Sequence, residues 1–88
     1  MNLNPYPDQI TPRPGSGYDT PAFFDEGMVV LVPCTKAQAE AIGVRWTPGC
    51  AIKCKVVVAA GEHARVVHER AGIDRWVSRY GCVVKVAA

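Results

Sequence analysis

The stretch GEHARVVHERAGIDRWVSRYG, Gly61 to Gly81, decides the architecture, because the repeat of its apolar residues sets the conformation of most of the second half of the chain. Ile73, Trp76, Val77 and Tyr80 stand at i, i+3, i+4 and i+7. That is the spacing of one face of an α-helix, and such a stripe is buried when the helix packs on a neighbour. The spacing predicts helix here, either kinked at Gly72 or broken there into two, with Gly81 as the stop. Strands are expected on both sides. In CAIKCKVVV, from Cys50, alternation puts Cys50, Ile52, Cys54, Val56 and Val58 on one face. Ala51, Lys53 and Lys55 face the other way until the strand turns inward at Val57. CVVKV, Cys82 to Val86, reads as a closing strand.

Upstream, MVVLVP (Met28 to Pro33) is an unbroken β-branched run, the signature of a strand covered on both faces. CTKAQAEAIG follows. Thr35 is suited to cap a helix, since its hydroxyl can accept from first-turn amides, and the alanines favour helix up to a stop at Gly43. In GVRWTPG (Gly43 to Gly49), Val44 and Trp46 alternate with Arg45, and Thr47, Pro48 and Gly49 supply turn chemistry. This reads as a hairpin into the next strand, with Trp46 packing at the corner. The element order is strand, helix, strand, one or two helices, strand. The predicted class is α+β: a small three- to four-stranded sheet with two or three helices on one face over residues 28–88, behind an extended, proline-rich arm over residues 1–27.

The segment LVPCTKAQAEAIGVRWTP, Leu31 to Pro48, resembles a small uncharacterised domain of plasmid and phage replication and mobilisation proteins. In that family a strand ending in Val-Pro leads into a Lys-x-x-Ala helix and then Gly-Ala-Arg-Trp-Asp-Pro. The matching positions are Val32, Pro33, Lys36, Ala39, Gly43, Arg45, Trp46 and Pro48. The family continues with a Trp-Tyr strand where this chain has CAIKCKV. The resemblance implies a strand–helix–hairpin order and a mobile genetic element, and it carries no settled chemistry.

Composition narrows the rest. Eighty-eight residues suit one domain, and 49% hydrophobic content suits a folded one. No apolar run approaches a membrane span, and MNLNPYPDQI has neither the basic start nor the apolar core of a secretory signal. A cytosolic setting, in the host cell or a virion, is therefore expected, with Cys34, Cys50, Cys54 and Cys82 as thiols. The net charge of +2 is uneven. Residues 1–27 set Asp8, Asp19, Asp25 and Glu26 against Arg13 for −3, and residues 28–88 carry +5. The acidic arm holds five of the seven prolines and the rings of Tyr6, Tyr18, Phe23 and Phe24. Proline lowers the cost of ordering an extended arm, and rings anchor it. Phe23 and Phe24 would either cap the domain's own core or dock on another chain.

Three chemistries can be weighed. The cysteine spacing lacks the Cys-x2-Cys knuckle usual in structural zinc sites, and His63 and His68 would point to different helix faces, so core thiols are expected and no metal or other cofactor is implied. Cys34 precedes a helix start, where the dipole lowers a thiol pKa. No base stands in a recognisable motif beside it, so no enzyme is expected. Nucleic-acid binding has more behind it. On a helix running through Gly72, the residues Arg65, His68, Gly72, Arg75 and Arg79 would form one phosphate-facing stripe. The competing reading pairs Arg65 with Glu69 and Arg70 with Asp74 on a solvated face.

The expected function is a non-enzymatic protein–protein interaction module of phage or mobile-element type, serving virion assembly or inhibition of a host protein. Tyr6, Tyr18, Phe23, Phe24, Asp25 and Glu26 of the arm would grip another protein or a sister subunit. The alternative is a nucleic-acid-binding module using Arg65, His68, Arg75 and Arg79.

Overall fold

The computed structural model of the chain describes residues 15–85, and these are mostly β. The strands are β1 (Tyr18–Asp19), β2 (Val29–Pro33), β3 (Ala51–Ala60), β4 (His63–His68), β5 (Ile73–Ser78) and β6 (Val84–Lys85). One short helix, α1 (Lys36–Ala41), lies between β2 and β3, and a 3₁₀ turn (Arg79–Gly81) follows β5. The α+β expectation is overturned by residues 61–81, which form an antiparallel hairpin and its exit turn instead of helix.

Two glycines account for the correction. Ala60 pairs with His63, so Gly61 and Glu62 alone turn β3 into β4. Gly61 has φ +66°, and a left-handed first residue gives a two-residue turn the twist that antiparallel strands need. Gly72, at φ +72°, ends the link between β4 and β5, where His68 pairs with Ile73. In that link the Gly72 N–H donates to the Glu69 carbonyl at 3.1 Å, and the Ala71 N–H donates to His68 Nδ1 at 3.3 Å. Ala64 and Val66 on β4, between these turns, and Ile73 and Val77 on β5, after the second, point into the core.

Strands β2 to β5 make a four-stranded antiparallel meander in sequence order. Its inner face pairs Val30 with Cys54, Val32 with Ile52, Val56 with Val66, and Ala64 with Val77. Val30, Val32, Val56 and Val66 are completely buried. Burying one such side chain contributes about 1.5–3 kcal/mol. Strand β2 is not covered on both faces: Val30 and Val32 point in, Leu31 is half-buried and Val29 is exposed, so the strand alternates after all. In β3 the register shifts between Val56 and Val58, which makes Val57 the extra residue of a β-bulge. The expected inward face therefore holds through Val56, and Val58 turns outward opposite Arg65.

The meander is joined to a second, two-stranded sheet of β1 and β6. The Leu31 N–H donates to the Val83 carbonyl at 2.8 Å, and the Val83 N–H returns a bond to the Leu31 carbonyl at 3.0 Å. Both sheets thus cover one core, which includes Phe24, Ala71 and Cys82. Helix α1 starts as expected. The Thr35 hydroxyl accepts from the Gln38 N–H, and the Gln38 side chain accepts from the Thr35 N–H, a reciprocal capping box. Residues 44–47 form no strand, so Trp46 anchors a loop rather than a hairpin.

The described part of the arm lies on the body. Phe24 is 6% exposed within the core, and Pro21 is fully buried beside it. The Gly27 N–H donates to the Val56 carbonyl at 2.8 Å. Phe23 is 61% exposed and points away. Tyr6 lies outside the described residues. Replacing Phe24 by alanine is expected to cost about 3–5 kcal/mol of stability. The neighbouring Phe23→Ala should change it by less than about 0.5 kcal/mol. Urea unfolding of the two variants reads both numbers, and equal losses would contradict the burial of Phe24.

Candidate functional site

The outer face of the meander follows from the same pairings that bury its inner face. One row runs Val29, Lys55, Val67, Asp74 across β2 to β5. The next runs Val58, Arg65, Trp76, and a third Ala60, His63, Ser78. Lys53, opposite Leu31, extends the face on β3. Trp76 is 53% exposed on β5; Val58, across Arg65 in the same row, and Val29, at the far end of the neighbouring row, are exposed as well. Directly paired residues on adjacent strands stand about 4.5–5.5 Å apart at Cβ, so Arg65 flanks the Trp76 ring.

Lys53, Lys55 and Arg65 are all exposed, against one carboxylate in these rows, Asp74. Arg65 reaches diagonally across the strands to it, Nε to Oδ1 at 2.7 Å and Nη2 to Oδ2 at 2.7 Å. This fork holds the guanidinium flat along the strand pair. The same hydrogen bonds, helped by the attraction of the charge, hold the Asp74 carboxyl below its usual range, and Asp74 raises Arg65 in turn. The pairings expected on a helix, Arg65 with Glu69 and Arg70 with Asp74, are replaced by this cross-strand one because β4 and β5 are extended.

The four residues of the expected basic stripe do not share a face. Arg65 alone stands in the open rows. His68 is half-buried at the end of β4, where Nδ1 accepts from the Ala71 N–H. Arg75 extends from β5 so that Nη2 donates to the Pro33 carbonyl at 3.0 Å. Arg79 donates through Nε to the Pro21 carbonyl at 2.8 Å and through Nη1 to Glu62 at 3.4 Å, and its Cζ lies 5.4 Å from the Tyr80 ring centroid. It clasps the arm to the body. Of the arm residues, Tyr18 pairs with Lys85 and is partly exposed, Phe24 is in the core, and Phe23, Asp25 and Glu26 are exposed. Trp76 was absent from both candidate sets. The helical stripe assigned it to the core, whereas on an extended strand its parity with the inward-facing Ile73 and Val77 puts it outside.

At the start of the loop that holds α1, the Trp46 Nε1–H donates to the Cys34 carbonyl at 3.0 Å. The Cys34 and Cys50 thiols are 3.6 Å apart. The expected lowering of the Cys34 pKa by the helix start does not occur. Burial, then the hydrogen bond and charge of Cys50, push it up to about 11, and Arg75 offsets only part of this. Burial likewise raises Cys54 and Cys82 to about 11. Among the described residues, no three His, Cys, Asp or Glu side chains gather as metal ligands, and no helix is long and apolar enough to cross a membrane.

No family model matches the chain, and neither a curated protein nor a solved structure is significantly similar to it.

The Arg65–Asp74 fork has a direct readout in solution. The side-chain carboxyl of Asp74, followed by NMR through an acid titration, should show a midpoint below the ordinary value of about 3.9. Arg65→Ala should return it to that value. Because the folded pKa is the depressed one, the stability the pair adds is complete above the ordinary aspartate range. It is lost as pH falls through the Asp74 midpoint.

Proposed function

We propose that this chain is a non-enzymatic binding module that takes single-stranded nucleic acid on the outer face of its meander. The observation that carries the reading is Trp76, an exposed ring paired with Arg65, on a sheet face where Lys55 stands in the next row and Lys53 in the row beyond it, both two strands away on β3. A single strand presents unpaired bases to a ring and phosphates to cations, and the face offers both in adjacent rows. Stacking on such a ring contributes about 1–3 kcal/mol per base and tolerates any sequence. A duplex hides its base faces and would leave Trp76 idle. The resemblance of residues 31–48 to replication and mobilisation proteins agrees with a nucleic-acid partner, and with a setting in a host cytosol.

A second reading keeps the arm as the gripping element for a protein partner or sister subunit, in virion assembly or in blocking a host protein. Phe23 favours it. It is the most exposed of the large apolar side chains described, and it stands beside the exposed Asp25 and Glu26. Phe24 is withdrawn from this set, since it is occupied in the core.

The test is fluorescence anisotropy with labelled single-stranded and duplex oligonucleotides of equal length, at two salt concentrations. The single strand should bind more tightly. Trp76→Ala should weaken it about tenfold to a hundredfold, in line with the loss of one stacking contact. Lys55→Ala should lower the salt slope by about 0.7, as for the loss of one phosphate contact. Asp74→Asn, which releases Arg65, should tighten binding. Duplex preference, or equal binding by wild type and Trp76→Ala, would remove the reading. Self-association abolished by Phe23→Ala, seen by sedimentation, would favour the arm instead.

A further inference from the structure

The geometry points to a redox modification site, separate from the sheet face, in which Cys34 and Cys50 join as a reversible disulfide that locks the loop between them. The two thiols are 3.6 Å apart, although sixteen positions separate them in sequence. The β2–β3 register puts them there. Pro33 and Ala51 form the last pair, and the next residues out are Cys34 and Cys50, whose backbones remain linked by a Cys34 N–H to Cys50 carbonyl bond of 3.1 Å. Residues directly opposite on antiparallel strands have Cα atoms about 4.5–5.5 Å apart, inside the span a disulfide needs. Only side-chain rotation is then required to bring sulfur onto sulfur. Both residues are partly exposed, so a small oxidant can reach them, whereas Cys54 and Cys82 are buried.

The chemistry balances with a low-molecular-weight disulfide such as oxidised glutathione. The thiolate of one cysteine attacks it, forming a mixed disulfide and releasing one glutathione thiolate. The second cysteine attacks the mixed disulfide at the protein sulfur and releases the other. Two protein thiols become one disulfide, two glutathione thiols are formed, and the two protons end on them. Facing the Cys34 thiol are Cys50, the guanidinium of Arg75 and, deeper, Cys54. With Cys34 pushed up to about 11, it is protonated at neutral pH. Closure is slow there and accelerates as pH rises. The bridge would tie shut the loop that contains α1 and Trp46, whose indole already holds the Cys34 carbonyl.

The experiment uses the whole reduced chain, incubated with oxidised glutathione and then alkylated under native conditions. Peptide mapping should find Cys34 linked to Cys50, with Cys54 and Cys82 still thiols. The linked form should melt roughly 10–20 °C higher, as closing a loop of this length predicts, and dithiothreitol should reverse the shift. Cys50→Ser should show no shift under the same treatment. Mapping on the wild-type chain needs no variant to fold. Oxidation that stops at glutathione adducts, a bridge made through Cys54 or Cys82, or a bridge without a higher melting temperature would each overturn the proposal.

Discussion

Two hydrogen bonds between Leu31 and Val83 hold the architecture together, because they join the four-stranded meander to the strands that complete its cover. With them, β6 and β1 continue beyond β2, and one core is enclosed by both sheets. The arm depends on the same closure. Phe24 belongs to that core, and Arg79, just after β5, reaches the Pro21 carbonyl and fastens the arm to the body. A domain this small has little core to spare, so a ring and a proline donated by the arm are a substantial share of it.

The sequence disclosed the elements whose signals are local. Thr35 caps α1 as its chemistry predicts, with Gln38 completing the box, and the alternation of β3 holds until the bulge at Val57. The hairpin of β4 and β5 was misread for a geometric reason. Residues four apart, such as Ile73 and Val77, share a face in both a helix and a strand, so that spacing decides nothing. Only the odd spacings discriminate, and they rest on Trp76 and Tyr80. Both are half exposed, so the helical stripe loses its two distinguishing members. The contrary signal lay in the glycines. A helix through Gly72 carries a cost of about 1 kcal/mol there, whereas Gly61 and Gly72 are what two successive turns require.

The candidate site was legible only in part, for the same reason. Arg65 was named, but as part of a stripe that the extended backbone disperses. His68, Arg75 and Arg79 are instead engaged near the core, with backbone partners at Ala71, Pro33 and Pro21. The last two lie 42 and 58 positions away in sequence. Contacts of that range are set by strand register, which composition and spacing do not contain. The approach of Cys34 to Cys50 is of the same kind. It follows at once from the pairing of Pro33 with Ala51, and from nothing shorter in range.

An exposed tryptophan on an edge strand is a hazard: among the described residues β5 is the edge of the meander, and a ring there invites sheet-to-sheet association. A single exposed apolar residue needs no special account. Around Trp76, Val67 is diagonal on β4, Val58 shares its row beyond Arg65, and Val29 ends the neighbouring row three strands away. Lys55 and Arg65 are interleaved with these apolar residues; Arg65 is paired with Asp74, and Lys53 and Lys55 make stacking of two copies face to face repulsive while leaving the ring open. The like charges of Lys53 and Lys55 discourage a second copy, and under the proposed reading the same charges would meet the phosphates of a strand.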